Sequence, residues 1–287
     1  MGCDNSNLHR AKAAQDDEFY TMLEDIEKEL EHYKGNFINK TIYCNCDDYQ
    51  VSNFFKFFGE NFERFHLKKL IATCYKGGTG RAVKAIMTDP SKVSVNELTG
   101  DGSFDSPECL ELLQEADIVV TNPPFSIIRN LFDILIKNDK KFILIGPTTA
   151  IYHKVLLPKF QSGELQIGIN YVKNFINKGQ LKLVGAVWYT TVPNDIPKRK
   201  LILEKEYTPY RYPKYDNYDA IECNDSNKIP KFYYGVIGVP LSYSKFHNPD
   251  EFEILGISDN LQLNGKEVFA RIFIRRKTVD EPEPSLW

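Results

Sequence analysis

The first half of the chain alternates between two spacings of apolar residues. Apolar positions at 22, 23, 26, 30 and 33 recur at helical spacing and predict a helix over 22–33. Residues 41–46 (Thr-Ile-Tyr-Cys-Asn-Cys) read as a strand that ends on two carboxylates, Asp47 and Asp48. Ser52 is placed to cap an amphipathic helix over 53–65, whose aromatic residues at 54, 55, 57, 58, 62 and 65 mostly face a core. A strand over 69–75 runs into Lys76-Gly77-Gly78-Thr79-Gly80, a hairpin tip leading to 82–87. Those glycines lack the Gly-Lys-Ser/Thr ending of a phosphate-cradling loop. A weak strand (93–98), the loop Gly100–Asp105, a helix (109–116), an apolar strand (117–120), a helix (127–138) and a buried strand (141–145) complete this half. Strands alternating with helices predict an α/β fold with a mostly parallel, doubly wound sheet. Such sheets bind ligands at the carboxyl ends of their strands. Asp47, Asp48, Tyr75, Asp101 and Asn122 all fall there.

After Pro147 the texture changes. One more helix (153–160) precedes two strands, 164–170 and 181–192, able to pair antiparallel. From Pro193 to Pro230, aromatic residues lie among prolines, lysines and asparagines with little periodicity. A strand over 232–239 and a hairpin over 255–274, turning at Asn264-Gly265 as a type I′ turn, follow. The division this predicts is a flexible polar arm (1–17), a larger domain (18–192) and a smaller C-terminal region (193–287).

Composition adds bounds. In 287 residues, 42% apolar content supplies a sizeable core, and no run of about 18 apolar residues predicts a membrane span. The polar N-terminus lacks a secretory signal, and Met-Gly-Cys-Asp-Asn-Ser matches a myristoylation pattern short enough to arise by chance. Six cysteines form no CxxC pair, which predicts reduced thiols and a cytoplasmic location rather than disulfides or zinc. The net charge of −3 argues at first against nucleic acid. Its distribution is uneven: residues 151–287 hold 19 Lys/Arg against 16 Asp/Glu, and 1–150 hold 17 against 23. A modest basic surplus thus falls in the C-terminal half, compatible with DNA reading there.

The candidate chemistry lies in Asp117-Ile118-Val119-Val120-Thr121-Asn122-Pro123-Pro124-Phe125-Ser126. Proline at 123 biases Asn122 toward an extended backbone, and neither proline has an N–H, so the backbone here mostly accepts hydrogen bonds. The Asn122 side-chain oxygen and the Pro123 carbonyl could therefore receive both protons of one amino group, leaving its lone pair for an electrophile. Phe125 offers a face for a planar base. Read without that chemistry, Asn-Pro-Pro-Phe is a turn after a strand.

This tetrapeptide resembles the catalytic motif of amino-group methyltransferases. Together with Asn7–Ala14, Asp17–Thr21, Tyr43–Asp48, Ser52–Phe55 and Glu115–Ser126, it resembles the EcoRI-type adenine DNA methyltransferase family. The resemblance implies a Rossmann-like domain that binds S-adenosylmethionine and methylates the amino group of adenine in a short duplex site. Asn122, Pro123, Pro124 and Phe125 would then be catalytic. Phe19, Tyr20 and Thr21 resemble a segment packed against the methionine end of the cofactor. Asp47 and Asp48 stand where related enzymes carry a glycine-rich loop, absent here, and would bind the cofactor's ammonium or ribose, or else cap a helix. Phe104 stands in the loop where relatives carry an Asp-Phe pair near the cofactor's adenine; Ser103 occupies the place of that Asp, and Asp101 is the nearest carboxylate to substitute for it. Lys198, Arg199, Lys200, Arg275, Arg276 and Lys277 are candidate phosphate contacts, whereas Trp188 and the tyrosines suit a core. The resemblance makes 193–287 the target-recognition region; a monomer acting on duplex DNA is expected, with or without a cognate restriction endonuclease. The rival readings are an RNA adenine methyltransferase, a protein glutamine methyltransferase, and a catalytically silent fold that binds DNA or a protein.

Overall fold

The computed structural model describes residues 20–77, 80–170, 172–177, 180–194, 201, 203 and 205–277. The predicted arm, Phe19, residues 78–79 of the predicted hairpin tip, residues 178–179, and Lys198, Arg199 and Lys200 lie outside the described residues. The chain divides into two compact units, residues 1–156 with 166–196, and residues 157–165 with 197–287.

The first unit is built on a ten-stranded sheet. Its strands are β1 (Tyr20–Thr21), β2 (Thr41–Cys44), β3 (Lys69–Thr73), β4 (Val83–Asp89), β5 (Lys92–Glu97), β6 (Ile118–Thr121), β7 (Lys141–Pro147), β8 (Gln166–Ile167), β9 (Val172–Asn177) and β10 (Gln180–Thr190). They lie in the order β1-β9-β10-β7-β6-β2-β3-β4-β5, with β8 also paired to β10. The centre, β7-β6-β2-β3, is parallel. Both margins are antiparallel: β3, β4 and β5 meander, with a tight turn between β4 and β5, and β10 pairs antiparallel with both β9 and β7. From β2 the chain steps outward to β3 on one side and later returns to β6 on the other. The strand order therefore reverses between β2 and β6, the place where open α/β sheets bind their ligands, outside the carboxyl ends of the strands.

Helices cover both faces: α1 (Leu23–Leu30), α2 (Asn53–Glu60), α3 (Pro107–Glu115) and α4 (Ile128–Lys137). Alternate strand residues explain the sorting. Ile42, Cys44, Leu70, Ala72, Ile118, Val120, Ile143, Ile145 and Trp188 join the core with Ile26 and Leu30 of α1 and the phenylalanines of α2. On the opposite face the Phe132 ring of α4 packs on Phe142 and Tyr189, and Cys109 of α3 donates to Thr73. The helix predicted over 53–65 stops at Glu60, because Asn61 turns its side-chain amide back onto the Phe57 carbonyl at 2.9 Å. Residue 66 then takes a positive φ of 50° before β3. Glu29 is fully buried in α1, yet its carboxylate accepts from Tyr33 Oη and from the Ile169 and Asn170 amides, which fastens the 168–170 turn. Hydrogen bonding of this completeness is what a buried carboxylate requires.

The second unit contains a four-stranded sheet, β11 (Ile221–Glu222), β12 (Ile237–Pro240), β16 (Arg271–Arg276) and β13 (Phe252–Ser258), and a separate ribbon, β14 (Leu261–Leu263) with β15 (Lys266–Val268). The Asn264-Gly265 turn appears as expected, with φ of 52° and 72°. Residues 157–165, which sequence texture puts in the catalytic domain, cluster with this unit instead. Phe160 packs on His247, and the Gln161 amide donates to the Ile254 carbonyl.

Candidate active site

Strand β6 is short, β-branched and entirely buried. It ends where Pro123 and Pro124 remove two ladder donors. The Pro124 carbonyl accepts from the Ile127 amide at 3.1 Å, which turns the chain into α4. Asn122-Pro123-Pro124-Phe125 is thus held between the carboxyl end of a central strand and the start of a helix. Pro123 is buried, Asn122 and Phe125 are half-buried, and Phe125 packs against the main core. The Asn122 side-chain oxygen is shielded from solvent.

One carboxylate organises the surroundings. Asp47 follows β2 and is 8% exposed. Its Oδ2 accepts from Thr121 Oγ1, its Oδ1 accepts from Ser52 Oγ at 2.6 Å, and its amide donates to the Thr73 carbonyl. Ser52 Oγ in turn accepts from the Phe54 and Phe55 amides and caps α2. The ends of β2, β3 and β6 and the start of α2 are therefore tied to a single side chain. The Asn53 amide extends the network to the Thr21 carbonyl at 2.7 Å. On the other flank Lys76 Nζ meets Asp48 at 2.5 Å, and the Lys76 amide donates to the Asp101 carbonyl. Gly102 makes that approach possible: at φ +76° it lies so close to the Cys74 carbonyl that a Cβ would overlap it.

The charges fit a binding cleft more than an acid–base centre. Burial works against ionisation of Asp48, but hydrogen bonds from Lys76 and the Gln50 amide, with the lysine charge, outweigh it and hold the carboxyl below its ordinary value. Burial, reinforced by the Asp47 charge, pushes the Cys44 and Cys46 thiols well up, so both stay protonated. Among the described residues no group of three or more His, Cys, Asp or Glu could hold a metal ion, and no helix is long and apolar enough to cross a membrane.

Of the residues singled out in the sequence, Thr21, Asp47, Asp48, Asp101 and Asn122–Phe125 belong to this cluster of strand ends and their loops. Tyr20 joins it through β1, whose backbone pairs with β9. Phe104 is buried at 7% exposure in the loop after Gly102, and exposed Asp101 accepts from the Ser103 amide. The basic cluster 275–277, expected beyond the predicted hairpin, lies in and just after β16. Arg275 and Arg276 lie within β16 and alternate across it, Arg275 paired with Glu253 at 2.5 Å and Arg276 laid over the Phe252 ring with Nε and Nη2 buried. Strand periodicity, overlooked in a run of three cations, accounts for the difference. Lys277 is exposed. Trp188 is core, as expected, but Tyr210 and Phe269 are 99% and 90% exposed.

Sequence reasoning passed over Asn45, Thr121 and Lys76. Asn45 follows β2 directly, is 2% exposed, and its Oδ1 accepts no hydrogen bond among the described residues; Thr21 Oγ1 is buried in the same condition. Orphaned buried polar atoms are rare in folded proteins and call for an explanation. Both lie on segments joined to the α2 N-terminus, and both could receive a donor from a ligand carrying an ammonium or hydroxyl groups. The donor set of S-adenosylmethionine fits them.

Residues 7–283 match the family model of the adenine-specific methyltransferase EcoRI. The chain is 38% identical to Type II methyltransferase M.EcoRI of Escherichia coli, over 96% of this chain and 98% of that one. It is 32% identical to Type II methyltransferase M.MgeORF184P of Mycoplasma genitalium, over 95% and 99% of the two chains. It is 34% identical to Type II methyltransferase M.MpnI of Mycoplasma pneumoniae, over 86% and 84%. No solved structure matches it. Methyltransferases of this kind draw their methyl group from S-adenosylmethionine. With the motif at a strand-order reversal and the match spanning nearly every residue, the chain belongs to the EcoRI family of adenine-specific methyltransferases.

Proposed function

We propose that this protein methylates the exocyclic amino group of adenine at a specific site in duplex DNA, acting as a monomer beside a cognate restriction endonuclease. The observation that carries the reading is Asn122-Pro123-Pro124-Phe125 clamped, through Thr121 and Asp47, at the carboxyl end of β6 where the strand order reverses. The target adenine is flipped out of the helix, at a cost of a few kcal/mol. Stacking on Phe125 returns roughly 1–3 kcal/mol of this. Asn122 Oδ1 and the Pro123 carbonyl accept the two amino protons and orient the nitrogen lone pair. S-adenosylmethionine, when bound, supplies the electrophilic methyl group. Attack comes first and the surplus proton leaves afterwards, so the residues act by positioning and dipole alignment rather than as a base. Thr21, Asn45 and Asp48 hold the cofactor, with the buried acceptors of Thr21 and Asn45 taking its donors. The second unit reads the target sequence.

The test is transfer of labelled methyl from S-adenosylmethionine to DNA from a methylation-free host, with RNA in parallel, followed by digestion to nucleosides. Label should appear as N6-methyladenine from duplex DNA. Label confined to RNA, or to another base, would overturn the reading. The cofactor assignment is checked separately by calorimetry. Asn45→Ala should weaken S-adenosylmethionine binding about tenfold, the worth of one hydrogen bond to a charged group. Unchanged affinity would remove Asn45 from the site.

A further inference from the structure

The charges of the second unit balance, but they are not evenly spread. Residues 157–165 with 197–287 hold 15 Lys/Arg and 15 Asp/Glu. Within them two segments, 205–214 and 228–234, hold five cations (Lys205, Arg211, Lys214, Lys228 and Lys231) and one carboxylate, Glu206. All five cations are exposed. Tyr210, Phe232 and Tyr234 are exposed among them.

The two segments are separate in sequence and side by side in the fold. The Lys231 amide donates to the Lys205 carbonyl at 2.7 Å, and Tyr212 Oη donates to the Lys228 carbonyl at 2.6 Å. The Tyr207 ring lies 4.7 Å from that of Tyr233 and stacks on Tyr212 at 6.2 Å. The Arg211 and Tyr212 amides close a turn on the Thr208 carbonyl, and the Glu222 amide of β11 donates to the Pro213 carbonyl. Prolines at 209, 213 and 230 restrict the backbone further. Buried and half-buried tyrosines thus form a stiff base for a layer of exposed cations. Lys214 and Lys228 are shared with Asp219 and Asp225, at 3.0 and 3.2 Å. Lys205, Arg211 and Lys231 form no ion pair among the described residues, and Lys231 lies over the Phe232 ring at 4.9 Å.

Cations gathered apart from the carboxylates of a neutral unit suit a polyanion. Lysine is depleted in protein–protein interfaces, whereas at least half of the hydrogen bonds to DNA run to phosphate and sugar, from Lys, Arg and hydroxyls such as those of tyrosine. Tyr210 and Tyr234 carry such hydroxyls beside the cations. The arginines at 275 and 276 are engaged within their own sheet, on Glu253 and on the Phe252 ring. We propose that the face formed by 205–214 and 228–234 lies along the phosphate backbone of duplex DNA, with Lys205, Arg211 and Lys231 each neutralising a phosphate. The proposal rests on the reading of the second unit as the part that recognises the target duplex. It assigns the contacts that hold the duplex in register, which carry no sequence information themselves.

The experiment follows duplex binding by the full chain as salt is raised. It compares wild type, Lys205→Gln, Arg211→Gln, Lys231→Gln, the triple variant, and Lys266→Gln, an exposed cation on β15 outside both segments. Each phosphate contact contributes about 0.9 to the slope of log affinity against log salt. Each single substitution in the face should lower the slope by roughly that amount, and the triple variant by nearly three times as much. Target and unrelated duplexes should weaken by the same factor, because phosphate contacts read no bases. Lys266→Gln should keep the wild-type slope. A wild-type slope in the triple variant, or an equal fall in Lys266→Gln, would overturn the face, and so would a loss confined to the target duplex. If the triple variant melts early, the single variants decide, since each removes only one exposed charge. Wild type that binds duplex DNA without salt dependence, or that prefers RNA, would instead overturn the underlying reading.

Discussion

Asn122→Ala is expected to lower the single-turnover rate of methyl transfer by at least about 10²-fold while leaving S-adenosylmethionine affinity within a factor of two or so. The magnitude follows from the chemistry. No base is needed before transfer, so the barrier depends on how well the amine is oriented, and one lost preorganised polar contact costs a few kcal/mol in such a setting. The separation from cofactor binding follows from position: Asn122 stands beyond β6, whereas Thr21, Asn45 and Asp48 stand on β1 and the loop after β2. Asn122→Asp keeps an acceptor and should fall less far than alanine. The measurement is a rapid-quench assay with saturating duplex beside a cofactor titration. Turnover near that of wild type in the alanine variant would take Asn122 out of the reaction, and a collapse of cofactor affinity would recast it as a binding residue.

Sequence sufficed for Asn122 because its signal is local. A β-branched run, two prolines and an amide at fixed spacing describe a strand end without any long-range information. The central strands and the Asn264-Gly265 turn were legible for the same reason. The antiparallel margins were less so, because apolar periodicity is the same for either direction and direction is set by connection lengths and distant partners. The roles of Asp47 and Arg276 were hidden for another reason. In sequence Asp47 reads as a cofactor contact or helix cap and Arg276 as a phosphate contact, yet Asp47 turns inward to two hydroxyls and Arg276 lies on an aromatic ring. Thr121 was hidden behind the motif it supports, since its hydroxyl matters only once Asp47, 74 residues away, is brought beside it.

Asp47→Ala should be the variant that damages both folding and chemistry. Removing the carboxylate strands the Thr121 hydroxyl and cancels the bond that orients Ser52, and hydrogen bonds to a charged group contribute roughly 1.5–3 kcal/mol each. A loss of about 2–4 kcal/mol in unfolding free energy is expected, read from denaturant titration of the first unit's signal. Ser52→Ala should cost less, near the ~1 kcal/mol of a lost helix cap. The catalytic effect is separate in origin. Once Thr121 is released, the end of β6 loses its tie to the loop after β2, and displacement of a reacting group by about 1 Å can cost on the order of 10²-fold in rate. Turnover should therefore fall in folded Asp47→Ala with cofactor affinity reduced far less, and Asp47→Asn, which keeps one acceptor, should lie between. The opposite pattern discriminates. Wild-type stability with selective loss of S-adenosylmethionine binding would mean that this carboxylate faces the cofactor and that the hydroxyls beside it are incidental. In that case the motif at Asn122 would be held by its prolines alone.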